Sequence, residues 1–139
     1  EQRHKCMAAI RGTDTKPEMM VRSLAHAMGY RFRLHRRDLP GCPDLVFPSR
    51  NAVIFVSGCF WHRHDCPNGR QVPKTRAAWW SGKLEANRKR DTAAQRRLRR
   101  QGWRVMVIWE CQLKDIDRIA RRIARFLERN GNGDITECY

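Results

Sequence analysis

The 139-residue sequence has no apolar run approaching the length of a membrane-spanning helix, and no amino-terminal signal is visible. It has no internal repeat and no low-complexity linker. Acidic side chains are scarce, with 14 Asp and Glu against 29 Lys and Arg, for a formal charge of +15. The first two absences argue against a membrane or secreted protein. The next two leave a single domain spanning residues 1–139, a size that allows a real core but not two independent ones. The shortage of acid points to a polyanionic partner, because neutralising phosphates releases counterions and supplies non-specific affinity. Charge alone therefore says nucleic acid and nothing about catalysis.

Hydrophobic residues are present at 41%, enough for a folded chain. Six cysteines are also present: Cys6, Cys42, Cys59, Cys66, Cys111 and Cys138. An even count would permit three disulfides in a secreted protein. Without a secretory signal, and with two histidines between Cys59 and Cys66, metal binding in a reducing cytoplasm is the better expectation.

Thr15-Lys16-Pro17-Glu18 has the form of a capping box, with Met20, Val21, Leu24, Ala25 and Met28 following at helical spacing up to Gly29. Tyr30, Phe32 and Leu34 alternate as a strand would. Residues 44–47 and 52–56 form two strands joined by a hairpin over 48–51. An irregular Cys/His/Pro/Gly segment covers 58–71. A long polar helix is expected over about 75–101. A buried strand then spans 103–109, and a last helix near 115–129 aligns Ile116, Ile119, Ile123, Phe126 and Leu127. Residues 131–139 form a tail without a strong signal. The order α-β-β-β-α-β-α predicts a mixed α/β fold, a central sheet flanked by helices.

Four constellations carry chemistry. Cys59, His62, His64, Cys66 and the distant Cys111 offer more than the four tetrahedral ligands that zinc prefers. Three cysteines and one histidine would close a structural site and leave one histidine over; the bland alternative is a core thiol at Cys111 and exposed histidines. Pro43-Asp44 before a strand is how magnesium-dependent nucleases present a metal ligand, although most such aspartates only satisfy turn amides. The pairs Phe60-Trp61 and Trp79-Trp80 could supply wedges that unstack a duplex, with one member of each packed inside as the alternative. Finally, Lys83, Arg88, Lys89, Arg90, Arg96, Arg97, Arg99 and Arg100 make a basic helix suited to phosphates, though part of it would be a solvated face.

The run Phe55-Val56-Ser57-Gly58-Cys59-Phe60-Trp61-His62-Arg63-His64-Asp65-Cys66 closely resembles the signature of the Vsr (very-short-patch repair) mismatch endonucleases. Gly12-Thr13-Asp14-Thr15-Lys16-Pro17-Glu18, Pro43-Asp44, Gly102-Trp103-Arg104-Val105 and Trp109-Glu110-Cys111 agree in order, so the resemblance extends from about Met7 to Leu113. It implies a divergent PD-(D/E)XK restriction-endonuclease-like fold with a structural zinc site. It also implies a Mg2+-dependent enzyme that nicks double-stranded DNA 5′ to the T of a T:G mismatch, initiating repair of deaminated 5-methylcytosine.

By that resemblance, Asp44 and the main-chain carbonyl of Val56 bind Mg2+. His62 activates the attacking water, and Glu18 supports the site through water around the metal. Cys59, His64, Cys66 and Cys111 bind zinc. Phe60, Trp61 and Trp80 form the wedge, Lys83 and Asn87 contact the mismatched pair, and the arm of residues 1–13, Met7 included, lies in the minor groove. A monomer in the bacterial cytoplasm, associated with the nucleoid, is expected, with mismatch-repair proteins as candidate partners. One residue departs from the pattern: Ser57 stands where the family usually has His, and Ser cannot carry charge or shuttle a proton. Two alternatives follow, a catalytically weakened zinc-stapled protein that binds mismatched DNA and a restriction-type nuclease with a matched target.

Overall fold

The computed structural model describes residues 15–59, 64–67, 69–71 and 73–128. Helix α1 (Lys16–Ala27) begins where Thr15 Oγ1 accepts the Glu18 N–H at 3.4 Å, as the capping pattern predicts. The other half of the box is replaced, because the Glu18 carboxylate turns to partners described below. Gly29, at φ +89°, ends the turn after the helix. Strand β1 (Arg33–Leu34) is shorter than the alternation of Tyr30, Phe32 and Leu34 predicts. Tyr30 and Phe32 instead pack edge-on against the Phe47 ring, at centroid distances of 6.5 and 5.8 Å.

Strands β2 (Leu45–Phe47) and β3 (Ala52–Ser57) form the expected hairpin, turned through a 3₁₀ segment (Pro48–Arg50) and Asn51 at φ +51°. Helix α2 (Ala77–Arg100) crosses over to β4 (Arg104–Trp109). A second 3₁₀ segment (Glu110–Lys114) leads to α3 (Ile116–Glu128). The sheet order is β1-β2-β3-β4, antiparallel except for the β3–β4 pair, which is parallel. The mixed α/β architecture is as the element order predicts.

Strand alternation divides the core in two. Leu45, Phe47, Ala52, Ile54, Met106 and Ile108 meet Val21 and Ala25 of α1 and Ile119, Ile123 and Leu127 of α3. Val46, Val53 and Val105 face the opposite way, onto Leu98 of α2 and onto Leu39. The carbonyl end of α3 is tied to the sheet by two guanidiniums. Arg104 donates to Phe126 O, and Arg50 donates to Leu127 O at 3.0 Å.

The loop before β2 is held against α2. A Cβ on Gly41 would lie 2.8 Å from Ala94 Cβ and 3.3 Å from the Phe55 ring, and its φ of +77° already favours glycine. Gly41→Ala is therefore expected to cost about 1–3 kcal/mol through overpacking and backbone strain. Urea denaturation would measure this; unchanged stability would mean that the loop stands off α2.

Candidate active site and metal cluster

Two side-chain clusters lie beyond the carboxyl end of β3, and strand pairing assembles both. In the β2–β3 hairpin Leu45 pairs with Ile54, so the residue before β2 reaches the end of β3. There Asp44 Oδ2 accepts the Val56 N–H at 2.7 Å, a charge-assisted bond that fixes one carboxylate oxygen. His35, immediately after β1, donates its backbone N–H to the Asp44 carbonyl at 3.3 Å. Its Nε2 lies 2.6 Å from Glu18 Oε2 and 3.8 Å from Asp44 Oδ1. Arg22, one turn along α1, also binds Glu18 Oε2. Glu18 and Asp44 are both buried, yet each keeps a partner of opposite polarity. Donor atoms of Glu18, His35 and Asp44 all lie within 4.8 Å of one another, a spacing that can hold a cation.

The sequence reading included Glu18 and Asp44 but missed His35. The signal available was weak: an imidazole just after a short alternating run, with no motif around it.

The second cluster follows from the parallel pair. Ser57 is in register with Trp109, so Cys59 and Cys111, each two residues beyond its strand position, come together. The His64 ring stacks on Trp109 at a centroid distance of 4.3 Å and an angle of 15°. This turns Nδ1 toward two thiols, 3.7 Å from Cys59 Sγ and 3.5 Å from Cys111 Sγ. Cys66 completes the set, again within 4.8 Å. Backbone hydrogen bonds from His64 N to Cys59 O (3.0 Å) and from Cys66 N to His64 O (2.8 Å) fold the segment back on itself.

The donors fit a tetrahedral ion. Zinc bond lengths of about 2.3 Å to sulfur and about 2.05 Å to nitrogen put S···N edges at about 3.6 Å. Burial pushes the Cys59 thiol up to about 12, with Cys111 and Cys66 adding to the rise, and burial lowers His64. A bound cation would offset the cost of ionising the thiols, and the neutral imidazole is the ligand form.

Cys59, Cys66 and Cys111 carry free thiols, as metal ligands require. Cys42 is disulfide-bonded, which departs from the expectation of reduced cysteines throughout.

The remaining expected site residues divide between described and undescribed positions. Ser57 is buried at the end of β3. Met7, Phe60, Trp61 and His62 lie outside the described residues. Trp79 is 48% exposed and Trp80 half-buried, with their rings edge-to-face at 5.1 Å. Arg76 and Lys83 lie over the Trp79 ring, at 4.8 and 5.7 Å from its centroid. Asn87 accepts a hydrogen bond from Arg90. All eight basic residues singled out on α2 are exposed, whereas only Leu84 and Leu98 of that helix are buried.

Comparison with known proteins gives concordant results. The family model described as DNA mismatch endonuclease Vsr matches residues 1–68. Type II nicking enzyme V.XorIIP of Xanthomonas oryzae is 52% identical over 128 residues, covering 92% of this chain and 93% of that one. DNA mismatch endonuclease Vsr of Escherichia coli is 41% identical over 117 residues, covering 84% and 74%. Type II nicking enzyme V.NmeAIP of Neisseria meningitidis is 37% identical over 109 residues, covering 78% and 77%.

The Cys/His cluster predicts one tightly held equivalent of metal per chain. Its apparent affinity should fall as pH falls, because protons compete for the three thiolates. Cys111→Ala should release most of that metal, measured by elemental analysis after dialysis. Retention of a full equivalent would remove Cys111 from the ligand set.

Proposed function

Since this chain belongs to the Vsr family of DNA mismatch endonucleases and is a DNA endonuclease, we propose that it nicks one strand 5′ to the T of a T:G mismatch. The reaction uses Mg2+ at Asp44 and initiates very-short-patch repair of deaminated 5-methylcytosine. The observation that carries this reading is the pair of buried carboxylates, Glu18 and Asp44, brought together at the end of the sheet, with the Asp44 carboxylate anchored on Val56 N–H. Zinc is the ion of the Cys59–His64–Cys66–Cys111 set, which acts as a staple between the ends of β3 and β4. The surrounding fold is a divergent version of the PD-(D/E)XK type.

When bound, Mg2+ supplies positive charge for the scissile phosphate and the leaving oxygen. Asp44 and the Val56 carbonyl hold it, with Glu18 as outer support. His62 accepts the proton of the attacking water, and the nick carries a 5′-phosphate. Ser57 hydrogen-bonds water at the position where the family's usual His could carry charge. Phe60, Trp61 and Trp80 wedge into the stack from the major groove. Lys83 and Asn87 address the mismatched pair, while residues 1–13 with Met7 occupy the minor groove.

A wobble pair costs less to unstack than a matched one, so the wedge itself favours the mismatch. The exposed cations of α2 support phosphate contact. A nick needs one active site, which suits a monomer. The bacterial nucleoid is the expected place of work, and mismatch-repair proteins are candidate partners.

The test is single-turnover nicking with Mg2+ on duplexes carrying T:G or T:A at one site. Wild type should cut only T:G, and Asp44→Ala should lose about 10³-fold or more, equivalent to several kcal/mol of transition-state stabilisation. Tight T:G binding without cleavage would favour the weakened binding protein; equal cleavage of T:A would favour a restriction-type target. Ser57→His should raise the single-turnover rate, and an unchanged rate would show that Ser57 does not limit it.

A further inference from the structure

His35 has a backbone conformation that calls for an explanation. Its φ is +46°, in the left-handed region that few residues other than glycine adopt, histidine being among the exceptions. Such conformations persist where the surrounding structure fixes them, and they gather at functional sites. Here the backbone N–H is held by the Asp44 carbonyl, and the turn aims the imidazole between two buried carboxylates. Nothing in the proposed reaction so far uses this side chain.

We propose that His35 is a direct protein ligand of the catalytic cation and draws Glu18 from its outer role into direct contact, so that Asp44, Glu18 and one imidazole, with the Val56 carbonyl, bind Mn2+ or Co2+ more tightly than Mg2+. The proposal rests on the reading of Asp44 as a metal ligand. Neighbouring donors around an octahedral ion with bonds of about 2.1 Å are about 3 Å apart. The His35 Nε2 distances of 2.6 Å to Glu18 and 3.8 Å to Asp44 bracket that value. A purely structural hydrogen bond to Glu18 would not require Nε2 to lie so near Asp44 Oδ1 as well. Carboxylates alone suit Mg2+, whereas an imidazole donor adds affinity for first-row transition ions. The position is also apt chemically: Ser57 removes one imidazole from the family's usual site, and His35 contributes one from the turn after β1.

The test uses the zinc-loaded full chain without DNA. Mn2+ and Mg2+ affinities are measured by calorimetry, and nitrogen coordination to Mn2+ by electron spin-echo modulation. His35→Asn is the informative variant, since Asn tolerates a left-handed φ and lacks the imidazole. Wild type should bind Mn2+ at least about tenfold more tightly than Mg2+. His35→Asn should lose most of that preference and the nitrogen modulation, whereas His62→Asn should keep both.

If Mn2+ binding needs Asp44 but the modulation survives in His35→Asn, His35 is only a hydrogen-bond partner and this inference is overturned. The proposed function then stands. If neither ion binds, or if Asp44→Asn leaves binding unchanged, the metal reading of Asp44 fails and takes the inference with it.

Discussion

Strand β3 is the ruler against which both clusters are set. Its antiparallel pairing with β2 brings Asp44 to the Val56 N–H, and its parallel pairing with β4 brings Cys111 to Cys59. A strand's side chains alternate with period two, so a one-residue slip on either side would reverse which face each residue occupies. Leu45, Ile54 and Ile108 would then leave the α1–α3 side, and the slip is opposed by a fully buried apolar layer. Precision at the polar site is thus borrowed from hydrophobic burial, which needs no polar group to be in the right place.

The two clusters differ in what holds them. Glu18 and Asp44 are buried acids, and each is stabilised by donors already in the fold: Arg22 and His35 for one, a strand amide for the other. In the cysteine cluster the donors are backbone amides, such as Gly69 N–H to Cys66 Sγ at 3.4 Å. The Cys59 thiol is raised chiefly by burial, so its charged ligand form is favoured by a cation arriving. One site is organised by the protein and the other by its ion. Under the proposed function, that suits a site that admits substrate beside one that only closes a loop.

Much of this was legible in the amino-acid sequence. Capping at Thr15, the glycine stops at Gly29 and Gly102, the hairpin after Phe47 and the apolar stripe of α3 all mark local choices that agree with the fold. The Cys59–His64–Cys66–Cys111 cluster was legible because thiols and imidazoles crowd a short segment. The extent of β1 was not, because Tyr30 and Phe32 satisfy their apolar surface against Phe47 without strand pairing. His35 was invisible for a related reason: its role comes from a backbone turn and from carboxylates 17 and 9 residues away in the sequence. Likewise, alternation could say that one of Trp79 and Trp80 turns outward, but only packing on α2 decides which is the more exposed.

The absence of room at Gly41 makes a mechanical link out of a packing detail. The segment leading to Asp44 is pressed between Ala94 of the basic helix and the Phe55 ring of the central strand, with not even a methyl group of slack. Helix α2 bears on that segment as a strut bears on a beam. If DNA phosphates settle along the outer face of α2, as the proposed function has it, any displacement of the helix toward the sheet is felt by the Asp44 loop. In the proposed function, the grip on the nucleic acid and the alignment of the Asp44 carboxylate would then share one degree of freedom.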